Sequence, residues 1–166
     1  MRYAQIRNMD ISNGEGIGVS LFVQGCRFQC KNCFNPETWD FNSGKEWTEE
    51  IENKFFELVD RPYIKRISIL GGEPLANENV SDVFNLIKKL KVKFPNKDIW
   101  IYTGYKIESI LNDPLRKKII EICDVVVDGR YVDKLRDLTL KFRGSSNQRV
   151  ILIRPSLVQG EIVLWE

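Results

Sequence analysis

Apolar residues along this chain fall into two alternating patterns. Short, nearly continuous apolar runs rich in β-branched side chains predict buried strands at residues 17–24, 66–70, 98–102 and 124–127. Between them, apolar residues recur at helical spacing after Thr48, from Val80 to Leu90 and after Asp113. Thr48 and Asp113 are of residue types that commonly cap helix N-termini, and Pro114 suits the first position of a helix. Two C-terminal segments, RVILIRP and EIVLW, look like strands, but the pattern does not place them.

Alternating strands and helices predict an α/β fold with a mostly parallel sheet and right-handed crossovers. Ligands of such sheets bind beyond the carboxyl ends of the strands. The predicted strands end at Gly25-Cys26, GGEP (71–74), Thr103-Gly104-Tyr105 and Asp128-Gly129. We therefore expect these loops to converge on one rim. A complete eightfold barrel takes about 250 residues, so a single domain of residues 1–166 predicts a partial, open (βα) barrel.

The composition favours one compact domain with no membrane partner. Apolar residues make up 43% of the chain, but no uncharged apolar run is long enough to span a bilayer. The N-terminal residues lack the apolar core of a signal peptide, so we expect a cytoplasmic protein. The 25 Lys and Arg residues nearly balance 23 Asp and Glu residues, so no overall field favours nucleic acid as a partner.

The chain contains no histidine. This excludes Ser-His-Asp and Cys-His nucleophilic sites, zinc sites that use histidine, and acid-base chemistry by imidazole. The chemistry must therefore use thiolate, carboxylate, amine or a cofactor.

Three cysteines lie close together after the first predicted strand, as Cys26, Cys30 and Cys33 in a C-x3-C-x2-C spacing. A disulfide with one free thiol is disfavoured in a cytosolic chain. A structural zinc ion would need a fourth ligand, either a carboxylate or Cys123, which is more simply a buried small residue. Electron-transfer clusters normally have four protein ligands at a different spacing. The remaining option is a 4Fe-4S cluster with three irons on these cysteines and one iron free for another ligand.

The cysteine spacing after one strand, with GGEP after the next, resembles the radical S-adenosylmethionine superfamily. The resemblance implies that the free iron chelates the amino and carboxylate groups of S-adenosylmethionine, and that the GGE loop contacts this amino group. Gly71 and Gly72 would let the backbone approach the ligand without a Cβ in the way. Glu73 would orient the loop or help to receive the ammonium group. Many members have an aromatic residue before the third cysteine, where this chain has Asn32, which leaves Phe34 to cover the adenine.

The site residues that this resemblance implies form two groups. The metal ligands are Cys26, Cys30 and Cys33. The cofactor-binding residues are Asn32, Cys33, Phe34, Gly71, Gly72, Glu73, Thr103 and Asp128. No catalytic side chain is expected beyond the cofactors, because the cofactors carry the chemistry.

Five segments carry a narrower resemblance. In chain order, they are NGEGIGVSLFVQGC, CFNPETWD, DIWIYTGY, VVVDGRY and FRGSSNQR, and they resemble the activating proteins of anaerobic, class III ribonucleoside-triphosphate reductases. The resemblance implies that a reduced cluster passes one electron to the sulfonium of S-adenosylmethionine. The resulting 5′-deoxyadenosyl radical would take a hydrogen atom from a glycine of the reductase. The implied partners are that glycine loop and a small reductant, flavodoxin or similar.

Three alternative functions remain open, two of them enzymatic and one without catalysis. The chain could activate another glycyl-radical enzyme, act on a small molecule as queuosine-pathway members do, or serve as a zinc or iron-sulfur binding module without turnover. In the leading interpretation, the glycine loop enters through the open side of the barrel, near Asp128 and residues 143–149. Arg130, Arg143 and Arg149 are the candidate docking side chains.

Overall fold

The computed structural model describes residues 1–165, which form one sheet with helices around it. The strands are β1 (Arg2–Asp10), β2 (Gly18–Val23), β3 (Lys45–Glu46), β4 (Arg66–Gly71), β5 (Asp98–Tyr102), β6 (Val125–Asp128) and β7 (Arg149–Leu152). The helices are α1 (Glu49–Val59), α2 (Val80–Lys93), α3 (Ile107–Ile110), α4 (Pro114–Ile122) and α5 (Ile153–Gln159). Short 3₁₀ turns occupy Pro36–Thr38 and Asp133–Leu135. Within the described residues, no helix is long and apolar enough to cross a membrane.

The seven strands of residues 1–165 have the order β3-β1-β2-β4-β5-β6-β7. The central strands β2, β4, β5 and β6 are parallel to one another. Strand β1 runs antiparallel to β2 and β3, and β7 runs antiparallel to β6. The described sheet is not closed, since β3 and β7 lie at its two edges. The expected α/β class and parallel centre are therefore confirmed, and the antiparallel strand β1 was not predicted.

The C-terminal segments differ from their strand-like pattern. In RVILIRP, only residues 149–152 form a strand, and the chain turns into α5 at Ile153. Part of EIVLW runs beside β7, because the Trp165 N–H donates to the Val150 carbonyl at 2.8 Å and Leu164 bridges to Ile151. An apolar run alone does not distinguish a short strand from the first turn of a buried helix.

The predicted helix caps are present. The Thr48 hydroxyl accepts a hydrogen bond from the Ile51 N–H at 3.2 Å at the start of α1. The Asp113 carboxylate accepts from the Leu115 and Arg116 N–H groups at the start of α4, where Pro114 takes the first helical position. These side chains satisfy donors that a helix N-terminus would otherwise leave unpaired.

The two faces of the sheet differ in character. One face packs on the apolar sides of the helices and forms the main core, which includes Leu21, Ile67, Ile69, Ile101, Phe55, Val83, Ile87 and Ile119. Burial of each such side chain contributes about 1.5–3 kcal/mol to stability. The helices therefore cover this face of the sheet, and the opposite face carries a different set of groups.

The opposite face carries a buried polar group on β4 and, beside it, a small apolar cluster on β5, β6 and β7. The Arg66 guanidinium is fully buried and donates to the Ser68 hydroxyl at 2.8 Å and to the Asp10 carbonyl at 2.6 Å. A Cβ at Gly18 would lie 2.4 Å from Arg66 Nη1, so glycine makes room for this side chain. The apolar cluster contains Trp100, Val125, Val127 and Val150, with Phe142 and Trp165 packed against it.

Candidate functional site

A cavity of about 560 Å³ lies at the carboxyl ends of the four parallel strands. Each loop that follows one of these strands contributes to its wall, through Cys26, Gly72, Thr103 and Gly129. The convergence expected from the alternating pattern is therefore confirmed for all four loops. Further parts of the wall come from Ser12 and Asn13, which follow β1, and from residues 138–148, which precede β7.

The three cysteines of the first loop line this cavity and are partly buried. The loop turns tightly between them, since Gln29 and Asn32 have φ values of 47° and 58°. The Cys33 N–H donates to the Cys30 carbonyl at 3.1 Å, and the Asn35 N–H points at Cys33 Sγ at 3.4 Å. Local backbone hydrogen bonds thus hold the part of the loop that carries Cys30 and Cys33.

The electrostatics of the thiols depend on burial. Burial raises the pKa of Cys26, and backbone N–H groups of Gln29 and Phe28 partly oppose the rise. Burial also raises the pKa of Cys30, against which Arg130 acts. A bound metal would reverse this balance, because a coordinating thiol is deprotonated.

The arrangement of the thiols suits some metal groups and not others. Among residues 1–165, no three His, Cys, Asp or Glu side chains stand close enough together to hold a single metal ion. A 4Fe-4S cluster makes a different demand, because each thiolate ligates its own iron. Three thiols that line one cavity fit such a cluster, with one iron left for another ligand.

Glu73 links the loop after β4 to the loop after β5. Its carboxylate accepts hydrogen bonds from the Gly104 N–H at 2.7 Å, the Leu75 N–H at 2.9 Å and the Thr103 hydroxyl at 2.8 Å. Burial raises the pKa of Glu73 to about 7, although these three donors favour the ionised form. Of its two expected roles, loop orientation is the one that these contacts support.

The glycines of this loop have neighbours other than the expected ligand. A Cβ at Gly72 would lie 2.5 Å from the Gly25 carbonyl oxygen, and a Cβ at Gly71 would lie 2.7 Å from the Val23 backbone. Adjacent strand ends therefore approach so closely that only glycine fits between them. Both glycines line the cavity, but the close contact visible at each is with protein backbone.

Asn79 is a positioning residue that the sequence reasoning missed. Its buried side-chain amide donates to the Gln24 carbonyl at 3.0 Å and to the Glu73 carbonyl at 3.1 Å. It thereby joins the cysteine loop to the GGEP loop. Its place directly before α2, where asparagine is a preferred cap, was the available signal, yet its side chain makes no capping bond.

Comparison with known proteins identifies the family. A family model described as a 4Fe-4S single cluster domain matches residues 12–151. A Salmonella typhimurium protein named anaerobic ribonucleoside-triphosphate reductase-activating protein is 40% identical over 93% of this chain and 100% of its own length. Proteins of the same name are 39% identical in Escherichia coli, over 93% of this chain and 100% of the relative, and 37% identical in bacteriophage T4, over 90% and 93%.

The chain belongs to the family of anaerobic ribonucleoside-triphosphate reductase-activating proteins. The resemblance based on the cysteine loop and the five segments is thus confirmed. The family model also supports a 4Fe-4S cluster as the metal group of this activating-protein chain.

Two of the cofactor-binding residues expected for this family do not line the cavity. Asp128 is buried, and its carboxylate accepts from the Ile107 N–H at 2.8 Å and from Arg149 Nε at 3.0 Å. Asn32 donates from its side chain to Asp133 at 2.8 Å. The resemblance implies the positions of these residues in the chain, and a position in the chain does not show where a side chain points.

Phe34 does line the cavity, together with a partner that the sequence reasoning missed. Its ring is 51% exposed and lies 4.8 Å from the ring of Tyr131, which also lines the cavity. Thr103 lines the cavity as well, but its hydroxyl is engaged by Glu73. Phe34 packs beside Tyr131 but remains half exposed, so its ring is accessible at the rim of the cavity.

Cys123 does not line this cavity. It belongs to the core on the helix-covered face of the sheet, where it is 4% exposed. Burial raises its pKa well above the ordinary value for a thiol. Its environment is that of a packed apolar residue.

The RGSSNQR segment (143–149) is fixed in place through Gln148. Its side-chain oxygen accepts from the Gly144 N–H at 2.9 Å and the Ser145 N–H at 3.1 Å. Its side-chain nitrogen donates to the Gly129 carbonyl at 3.0 Å. Gln148 therefore holds this segment against the loop that follows β6.

Proposed function

We propose that this protein is a radical S-adenosylmethionine activase that generates a glycyl radical on the anaerobic ribonucleoside-triphosphate reductase. The observation that carries the proposal is the cavity at the strand ends, which three thiols of one loop line together with the GGE loop. The relatives that match nearly the whole chain are named for activation of this reductase. In this proposal, residues 1–166 act as a single domain of the partial radical S-adenosylmethionine barrel type, in the cytoplasm.

Cys26, Cys30 and Cys33 would hold the cluster, with one iron left for S-adenosylmethionine. When bound, the cluster supplies the electron that cleaves S-adenosylmethionine, whose 5′-deoxyadenosyl radical then takes a hydrogen atom from the glycine. The protein orients the reactants and excludes water. No step requires acid-base catalysis, which agrees with a chain that lacks histidine.

The remaining wall residues position these groups. The hydrogen bonds of Glu73 hold the loops after β4 and β5 in one arrangement, so that the backbone at Gly71 and Gly72 faces the cavity. Phe34 and Tyr131 offer an apolar surface for the adenine at the rim. The polypeptide substrate would enter where the sheet is not closed, and a flavodoxin or similar protein would supply the electron.

The test is an oxygen-free assay of the cluster-loaded protein with S-adenosylmethionine, a reductant and the reductase from the same genome. We expect a glycyl doublet in the electron paramagnetic resonance spectrum and release of 5′-deoxyadenosine. Cys30→Ala should abolish both signals, and the matched variant Cys123→Ala should keep both. A protein that releases 5′-deoxyadenosine but yields the doublet only on a different glycyl-radical enzyme would contradict the assignment of the partner.

A further inference from the structure

Two long connections without an α-helix meet at the rim of the cavity. They are residues 24–44, which contain the cysteines, and residues 129–148, which join β6 to β7. Asn32 bonds to Asp133 across this junction, and the guanidinium of Arg136 lies 5.5 Å from the centre of the Phe34 ring. Long irregular loops in a compact domain usually serve function, since their backbone gains little from the core.

Apolar side chains are exposed along this rim. Leu138 is 73% exposed and lines the same cavity as Phe34, and Leu135, three residues earlier in the chain, is 44% exposed. Val132 is exposed as well. Single exposed apolar residues are common, but a group of them beside a cavity is typical of an interaction site.

The same segment carries a local excess of positive charge. Its cations are Arg130, Lys134, Arg136, Lys141 and Arg143, and its acids are Asp133 and Asp137. Asp133 accepts from Asn32 and Tyr131, and Asp137 accepts from Thr139. These hydrogen bonds lower the pKa of both acids, and the charges of Arg136 and Arg143 add to this from beyond salt-bridge distance. Within residues 1–165, none of the five cations forms a salt bridge. The whole chain, by contrast, has a net charge of only +2.

Arg149, the third expected docking arginine, differs from these cations. Its guanidinium bonds to the buried Asp128 and to Glu108, at 2.7 Å from Glu108 Oε1. Its charge is therefore neutralised within the fold. We therefore expect the docking surface in the part of the loop that precedes Arg149, and no longer in residues 143–149.

We propose that residues 130–143, together with Phe34, form the surface on which the reductase docks with an acidic and partly apolar polypeptide surface around its glycine loop. The inference rests on the proposed function, which supplies the partner. The unpaired cations select an acidic partner, and complementary charge speeds the encounter. The exposed leucines favour a polypeptide over a nucleic acid, because nucleic-acid affinity comes mainly from contacts of cations with phosphates.

The test compares two charge-reversal variants of the cluster-loaded protein. Lys134→Glu/Lys141→Glu changes two exposed lysines of the docking surface that do not line the cavity. Lys117→Glu/Lys118→Glu makes the same change in charge on exposed residues of α4, which packs on α2 at the other face of the sheet. Binding to the full-length reductase is measured by calorimetry at low and high salt, and 5′-deoxyadenosine release is measured without the reductase.

We expect Lys134→Glu/Lys141→Glu to raise the Kd for the reductase about tenfold or more at low salt, with a smaller effect at high salt. Its 5′-deoxyadenosine release without the reductase should stay at the wild-type level, and the α4 variant should bind normally. An unchanged Kd, an equal loss in the α4 variant, or a self-association of the wild type that the loop variant abolishes would each overturn this inference alone. A wild-type protein that forms no complex with the reductase would overturn the proposed function as well.

Discussion

The Thr103 hydroxyl donates a hydrogen bond to the buried Glu73 carboxylate at 2.8 Å, across 30 positions of the chain. Each residue lies at the end of a different parallel strand, and both line the cavity that holds the three thiols. This bond therefore sets the spacing of two of the four loops that form the site.

Thr103→Val should weaken this link while the shape of the side chain is nearly kept. The change removes one hydrogen-bond donor to Glu73. It also removes the hydroxyl that accepts from the Tyr105 N–H at 3.1 Å, so this N–H loses its acceptor. We expect the free energy of unfolding to fall by about 1–3 kcal/mol. Denaturant unfolding of the metal-free protein measures this change.

Thr103→Ser is the matched control, because it keeps the hydroxyl and removes only a methyl group. It should lose less stability than the valine variant and bind as much iron as the wild type. Equal unfolding midpoints for the two variants would show that the hydroxyl contributes nothing.

The stability of the metal-free protein should fall as the pH rises from about 4.5 to about 7. Glu73 has an ordinary pKa of 4.5, and burial raises it to about 7 in the fold. In this interval the folded protein holds a proton that the unfolded chain has released, so a rise in pH favours unfolding. The full effect is about 3 kcal/mol at most.

Glu73→Gln should flatten this part of the pH profile, since glutamine does not titrate. Glu57→Gln, an exposed residue of α1, is the control and should leave the profile unchanged. Unfolding curves at a series of pH values provide the measurement. A slope that survives in Glu73→Gln would assign the effect to another group.

Alkylation should separate Cys123 from the other three cysteines. In the reduced, metal-free protein, we expect Cys26, Cys30 and Cys33 to react while the fold is intact, because they line an open cavity. Cys123 should react only after unfolding, because it is buried in the core and its pKa is raised. Mass spectrometry of the labelled peptides reads out each site. Rapid labelling of Cys123 in the native protein, or loss of iron in Cys123→Ala, would contradict its structural role.

Arg149→Met should destabilise the fold strongly. Asp128 is buried with Arg149 as its charge partner, so the variant leaves a buried carboxylate with only the Ile107 N–H. We expect a loss of about 3 kcal/mol or more. Adding Asp128→Asn should recover part of this loss, because a neutral amide needs no cation, and unfolding of the two single variants and the double variant measures the coupling.

Asp128→Asn also separates a structural role from a role in ligand binding. Because Asp128 does not line the cavity, the single variant should lose stability yet bind S-adenosylmethionine normally in the cluster-loaded protein. Normal stability together with lost binding would instead assign the carboxylate to the ligand.

The central strands and the capped helices could be predicted because their signals are local. The apolar runs at residues 66–70 and 98–102 lie within β4 and β5, and Thr48 and Asp113 cap their helices. Strand β1 gave no such signal, because its burial pattern is irregular and its pairing with β2 is interrupted. Its place in the sheet depends on a partner that only the folded chain provides.

The candidate site shows the same difference between local features, which the sequence predicts, and contacts between distant residues, which it does not. The spacing of Cys26, Cys30 and Cys33 in the sequence was enough to predict a cluster-binding loop, since such a loop is a local feature. Asp128 follows the same positional rule but turns to Arg149, 21 residues later in the chain. A position at a strand end predicts where the backbone goes, and competition among distant partners decides the direction of the side chain.

The sequence by itself determined the order of the four central strands and of the three longer helices between them, the three-thiol loop and the membership in this family, because each rests on neighbouring residues or on the order of segments. Tertiary structure alone decided that Glu73 and Asn79 would join three loops into one wall, and that Cys123 would lie on the other face of the sheet. The physical reason is that hydrogen bonds and burial depend on groups that approach one another only after the sheet has formed.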